Sequence, residues 1–155
     1  MDSVDWAFCD ERRDKKMKRM INTSMVYFAL AMAAGVFYRE FTKFNGYTGK
    51  TVLSTLHTHF LVLGMLFFLI VALFVNQEKR LLENKLFKRF YICYNLSLPF
   101  LACTMLARGI VQVLQIALSR GADAAISGIA GLSHIFITIS LIFFFMGLKQ
   151  SLRKQ

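Results

Sequence analysis

The sequence contains few residues that break regular structure and few that carry charge. It has 1 proline among 155 residues, and charged residues make up 18% of the chain. Beside that proline stand 16 phenylalanines and an apolar fraction of 56%, which argues against a disordered or loop-rich protein. A soluble domain of this length has too thin a core to bury so much apolar surface. The composition therefore predicts an integral membrane protein.

Several chemical motifs are also absent. The three cysteines, Cys9, Cys93 and Cys103, form no CxxC pair, and the sequence has no CxxCH motif, so covalent attachment of a c-type haem is not indicated. Nothing in the sequence combines a nucleophile with a base, a pair of carboxylates or a phosphate-binding loop. We therefore favour a role other than catalysis.

Four apolar segments are each long enough to cross a bilayer, which needs about 20 residues. Their approximate bounds are residues 20–38, 52–75, 90–118 and 124–148. Pro99 lies in the first turns of the third segment, where it is expected to bend the helix. The pattern predicts an all-α integral membrane protein built as a four-helix bundle, with lipid as its surroundings.

The basic residues are distributed unevenly between the connecting segments. Of the 19 lysines and arginines, 14 lie in the N-terminal segment 1–19, the loop 76–89 and the tail 149–155. The loop 39–51 and the turn 119–123 together hold 4. By the positive-inside rule, both termini lie in the cytoplasm, and we expect the protein in the cytoplasmic membrane of a bacterium. Charge confined to such connections argues against nucleic acid as a partner.

All three histidines lie inside apolar segments. His57 and His59 belong to the run LHTHFLVLGM at residues 56–65, and His134 lies in the fourth segment. Ionisable side chains are costly in hydrocarbon and usually mark a functional site. A rise of 1.5 Å per residue puts His57 and His59 about 8–11 Å, and both His134 and Arg108 about 15 Å, below the outer ends of their segments. Three helices thus contribute ionisable groups to one layer.

The histidines are candidate ligands of a haem iron. Neutral imidazole is a common metal ligand, and two imidazoles from facing helices of a bundle can hold a haem from both sides. We expect a b-type haem between the second and fourth segments, with His57 and His134 as axial ligands. His59 is the alternative to His57, because the two point about 200° apart around the helix. Simple interhelical hydrogen bonding is the other role open to each histidine.

Two glycines and two arginines complete the candidate site. Gly64 and Gly131 lie on the histidine faces and would leave room for a porphyrin. Arg108 is expected to pair with one haem propionate, and Arg39 with the other. The alternatives are a bridge from Arg108 to Glu40 or to backbone carbonyls, and for Arg39 an ordinary charge at the membrane interface.

Four motifs together resemble a known family. They are GVFYREFTKFNGYTGKT at residues 35–51, LHTHFLVLGM at 56–65, ARG at 107–109 and GLSHIF at 131–136. They resemble a family of small bacterial four-span membrane proteins of unknown function, and the resemblance covers the chain from about residue 20 onward. It implies the four-span fold and no particular activity.

The run LHTHFLVLG is also similar to the second-helix motif of haem–copper oxidase and nitric-oxide reductase catalytic subunits. In that motif the first histidine ligates a low-spin haem b. His57 is the matching residue, and His59 stands where the motif has asparagine. Four spans and three histidines cannot build the oxygen-reducing centre of those subunits. The resemblance implies at most one b-type haem.

The sequence therefore leaves three functions open. The first is a membrane haem protein for electron transfer, haem handling or redox or gas sensing, with a membrane redox partner and pairing of copies through small-residue faces. The second is a small transporter or channel subunit. Its outward-facing polar cavity would be formed by Arg108, Gln112, Gln115 and His134. The third is a structural subunit of a larger membrane complex.

Overall fold

The computed structural model describes residues 3–153, and within that range the side chains of residues 14–153 except 79 and 82. Residues 3–153 form four long helices and contain no strand: α1 (Ser3–Phe44), α2 (Leu53–Gln77), α3 (Lys85–Val113) and α4 (Arg120–Leu152). Each is long and apolar enough to span a membrane. The four-helix prediction is confirmed. The cytoplasmic location of both termini, the bacterial membrane and the pairing of copies stay predictions.

The helix bounds differ from the predicted spans most at the start of α1, which begins at Ser3 rather than near residue 20. α3 ends at Val113 rather than near residue 118, and the connection to α4 is residues 114–119. In it Gln115 has a φ of 52° and lies outside the helix, although the predicted third span 90–118 included it. α3 and α4 begin with capping side chains, Asn84 and Ser119, which accept hydrogen bonds from backbone N–H groups of the first turn. Pro99 lies inside α3.

α1 packs against α2 around one tyrosine. The Tyr27 ring stacks on Phe68 at 5.7 Å between centroids and on Phe60 at 6.1 Å. Gly64 lies between them, and a Cβ added there would be 2.5 Å from Tyr27 Cβ. A side chain at this position would therefore force the two helices apart.

The middle of α2 is a π-helical segment, Phe60–Leu66, and neighbouring helices bond to its carbonyl groups. Ser24 on α1 donates its hydroxyl to the carbonyl of Met65 at 2.9 Å. Tyr94 on α3 donates to the carbonyl of Leu63 at 2.8 Å. A π segment is rare, and hydroxyl groups inserted from adjacent helices stabilise the widened turn by satisfying its backbone.

α3 and α4 pack along their length, and α2 packs against α3. We call residues 14–30, 60–98 and 136–153 the termini half of the bundle, and residues 31–59 and 99–135 the loop half. In the termini half, Asn84 Nδ2 donates to the carbonyl of Gly147 at 3.2 Å. In the loop half, the backbone N–H of Val52 donates to Gln112 Oε1 at 2.8 Å. α1 and α3 run in one direction, and α2 and α4 run in the other.

Aromatic rings fill the termini half. Phe67 on α2 lies 4.9 Å from Tyr94 on α3 and 5.6 Å from Phe144 on α4, measured between ring centroids. Phe90 lies 5.0 Å from Phe144, and Tyr94 and Phe90 are fully buried. This aromatic cluster (Phe67, Phe68, Phe90, Tyr94 and Phe144) fixes three helices to one another at their termini ends.

Candidate functional site

His59 and His134 are held in the same way. His59 lies in the second turn of α2 and His134 near the middle of α4, and in each the ring Nδ1 lies 2.8 Å from the carbonyl oxygen four residues earlier, Thr55 for His59 and Ala130 for His134. An Nδ1–H that donates to this carbonyl leaves Nε2 unprotonated. A backbone carbonyl on the second ring nitrogen is the usual arrangement for a histidine that ligates a metal through the other.

His57 is in a different environment. It faces α1, where a Cβ added at Gly35 would lie 3.8 Å from His57 Cβ. Its Nδ1 is buried and has no hydrogen-bond partner among the described residues. The sequence favoured His57 over His59 as the residue facing α4, whereas in the structure His57 lies in the contact between α1 and α2. The small residue at position 35 is the signal that could have indicated this.

The face of α2 that carries His59 is continuous with the aromatic cluster. Phe60, Gly64 and Phe68 all contact Tyr27, so residues four apart are aligned through the π segment. His59, Leu63 and Phe67 form the neighbouring stripe by the same spacing. Of these, Phe67 contacts Tyr94 and Phe144, so the stripe faces α3 and α4 at its Phe67 end.

His134 lies on the flank of α4. Ser133 and Ile137 are buried, and His134 is about 100° around the helix from Ser133. The His134 side chain is exposed in the single chain. Measured outward from the contact between Phe67 and Phe144, His59 is about 12 Å and His134 about 15 Å along their helices, so the two lie at nearly the same depth.

The two glycines of the predicted site differ. Gly64 contacts Tyr27, so it allows α1 and α2 to pack closely. It does not leave room for a porphyrin on the side of α2 that faces α4. Gly131, one turn before His134, has no atom within 4 Å of where a Cβ would lie. Open space thus adjoins His134, and none adjoins Gly64.

The two arginines of the predicted site are far from equivalent. Arg108 on α3 forms an ion pair with Asp123 in the first turn of α4. Glu40, the partner considered from the sequence, instead lies 4.0 Å from Arg39, whose side chain is 82% exposed. Asp123 could have been identified from its place at a helix N-terminus, just across a short connection from Arg108.

A polar cavity of about 540 Å³ opens beside this ion pair. Its polar lining consists of Arg108, Gln112, Gln115, Arg120 and Asp123. These include three of the four residues that the sequence assigned to an outward-facing cavity; His134 is not among the lining residues.

No group of three or more His, Cys, Asp or Glu side chains in the described part of the chain is arranged to hold a metal ion. A pair of histidines on separate helices is a different arrangement, and it is the one that His59 and His134 offer.

A family model described as "Protein of unknown function (DUF2871)" matches residues 17–151. The chain belongs to the DUF2871 family. Neither the curated proteins nor the solved structures contain a match to it. The DUF2871 match confirms the first resemblance seen in the sequence, whereas nothing in the comparisons supports the resemblance to the haem–copper oxidases.

Proposed function

We propose that this DUF2871 protein binds one b-type haem between α2 and α4, with His59 and His134 as axial ligands. The observation that carries the proposal is their shared geometry. In both rings Nδ1 lies 2.8 Å from a backbone carbonyl oxygen, which leaves Nε2 available to a metal. His57 becomes the alternative ligand on α2, which reverses the order that the sequence favoured.

The exposure of His134 supports an occupant beside it. An imidazole turned toward lipid is costly, because hydrocarbon offers no hydrogen bond to its second nitrogen. His134 is exposed in the single chain, and the space at Gly131 is open. A ligand that binds Nε2 and lies beside Gly131 would satisfy this nitrogen and occupy the open space there.

The surroundings of the two histidines suit a flat apolar ring. The stripe that carries His59 ends at Phe67, and Phe67 contacts Tyr94 and Phe144. These rings would form the floor of the site on the side of the termini half. Arg108 lies nearer the loop connections, where haem propionates would be, and its pairing with Asp123 leaves further guanidinium N–H groups to donate. Arg39 is 82% exposed and is less suited to the second propionate.

His59 and His134 would together hold the haem iron. A haem held in this way would supply one-electron redox chemistry, and the chain's own role would be to hold the two imidazoles, exclude water and neutralise propionate charge. Electron transfer, haem handling and redox sensing are therefore the activities that the proposal covers. Substrate turnover at the iron is not among them.

The test is an absorption spectrum of the purified protein, expressed with added haem, before and after reduction with dithionite. We expect a sharp Soret band and resolved α and β bands on reduction. His59→Ala and His134→Ala should each abolish or broaden these bands, and external imidazole should restore them. His57→Ala is the matched control and should keep the wild-type spectrum. A protein that stays colourless with added haem would contradict the proposal.

A second candidate is a transporter or channel subunit that uses the polar cavity. The observation that favours it is the pair of arginines, Arg108 and Arg120, in a cavity of about 540 Å³ lined also by two glutamines. Such a lining fits a small anion or polar metabolite. This function predicts no visible absorbance, and Gln112→Ala together with Arg120→Ala should abolish uptake into proteoliposomes while histidine variants leave it unchanged.

A further inference from the structure

A second pocket lies in the termini half, between α1 and α3, at the opposite end of the bundle from the polar cavity. It has a volume of about 240 Å³. Three of its lining residues are cations, Lys16, Arg19 and Lys88, and none is acidic. The rest are apolar or aromatic, among them Phe87, Tyr91 and Ile92.

The pocket lies where two membrane-length helices begin. The candidate spans of α1 and α3 start at Asp14 and Lys85, so the cations lie within the first few residues of each span. At a rise of about 1.5 Å per residue this is the depth of lipid headgroups. Ile92 is 59% exposed and lies about one turn deeper than Lys88, so the apolar wall continues toward the bilayer interior.

One of the cations is held in place by neighbouring side chains. The guanidinium carbon of Arg19 lies 4.1 Å from the centroid of the Tyr91 ring. The Tyr91 hydroxyl in turn hydrogen bonds with the Thr23 hydroxyl at 2.9 Å. A guanidinium stacked on a fixed ring loses less freedom when it binds an anion, and its planar N–H groups match a phosphate.

We propose that this pocket binds one anionic glycerophospholipid. Arg19 and Lys88 would hold the phosphodiester, and an acyl chain would lie along Phe87 and Ile92. Cations alone would suit any phosphate, but a free phosphate gains nothing from the apolar wall. The combination of both surfaces at headgroup depth favours a lipid. This inference is independent of the histidines and of any haem.

Native mass spectrometry of the full-length protein, released from detergent with added lipid, tests the proposal. We expect one phosphatidylglycerol to remain bound at activation energies that remove phosphatidylcholine. The variant Arg19→Gln/Lys88→Gln should bind phosphatidylglycerol more weakly, by about fivefold for each charge removed. Both side chains are exposed, so we expect the variant to fold; an unchanged gel-filtration profile would check this.

Matched controls remove the same charge elsewhere. Lys149→Gln lies in the same half of the bundle but outside the pocket, and Lys43→Gln lies at the other end. Both should retain the lipid as the wild type does. Arg19→Lys should show intermediate retention, since lysine keeps the positive charge but lacks the planar guanidinium that stacks on Tyr91. Equal retention by the double variant and the wild type, equal loss in the controls, or displacement of the lipid by millimolar inorganic phosphate would each overturn the proposal.

Discussion

The two halves of the bundle are built differently. The termini half is closed by the aromatic cluster, whose five side chains come from three helices, and by hydroxyl groups that bond to the π segment of α2. The loop half carries His59, His134 and the Arg108–Asp123 pair, beside a cavity of about 540 Å³. The termini half uses its side chains mainly for packing, whereas the loop half carries the histidines that we propose hold a haem. Substitutions should therefore affect stability mainly in the termini half and haem binding mainly in the loop half.

The largest loss of stability is expected at Tyr94. Tyr94→Ala removes a fully buried ring and its hydrogen bond to Leu63. We expect the free energy of unfolding to fall by about 3 kcal/mol. This is at the low end of the losses measured when buried aromatic side chains are truncated, because in the unfolded state the Tyr94 ring would still be surrounded by lipid. Leu96→Ala on the same helix, at a position 69% exposed, is the control and should cost far less. Unfolding in mixed SDS micelles measures both.

Gly64→Ala should come next, because its Cβ would overlap the Tyr27 ring. Separating α1 from α2 at this point should lower the free energy of unfolding by about 1–3 kcal/mol. Gly131→Ala is the matched change in the loop half, where the added Cβ meets open space. It should leave stability unchanged or raise it slightly, since alanine is the better helix former. Equal losses in the two variants would remove the contrast between the halves.

A smaller effect is expected at Ser24. Ser24→Ala leaves the Met65 carbonyl of the π segment without its hydroxyl donor. Interhelical hydrogen bonds in membrane proteins contribute on average about 0.6 kcal/mol, and we expect a loss of about that size. Ser127→Ala, an exposed serine of α4, is the control and should show none. The same unfolding assay resolves the difference if several replicates are averaged.

The smallest effect on stability is expected for Asp123→Asn. The Asp123 side chain is 54% exposed, so solvent screens its pair with Arg108. We expect a loss below about 1 kcal/mol, which should shrink further as salt is raised. If Arg108 also pairs with a propionate, Asp123→Asn should change the haem redox potential although it barely changes stability. A large loss of stability would mean that the loop half is as tightly built as the termini half.

The helices could be predicted from the sequence because their signal is local. Four apolar stretches of membrane length, separated by short connections, are sufficient to define α1 to α4. The end of α3 was harder, because residues 114–118 are still apolar, and nothing in them indicates the left-handed turn at Gln115. The π segment was not predicted either, since it depends on hydroxyl donors from Ser24 and Tyr94, which are distant in sequence.

The site could be predicted only in part. The depth of the histidines follows from a constant helical rise, so the sequence could place them in one layer. Which of His57 and His59 faces α4 depends on where α1 packs against α2. The position of α1 is set by two contacts, Gly35 with His57 and Gly64 with Tyr27. The partner of Arg108 was also missed. Asp123 belongs to another helix, so its contact with Arg108 depends on how α3 and α4 pack.

The most direct test is whether His59, and not His57, faces His134. Two double variants, His59→Cys/His134→Cys and His57→Cys/His134→Cys, would be made with the native cysteines replaced by serine and treated in membranes with a short bismaleimide. We predict an intramolecular crosslink between positions 59 and 134 and little or none between 57 and 134. An efficient crosslink from position 57, with none from 59, would contradict the assignment of the ligand pair and restore His57 as the residue that faces α4.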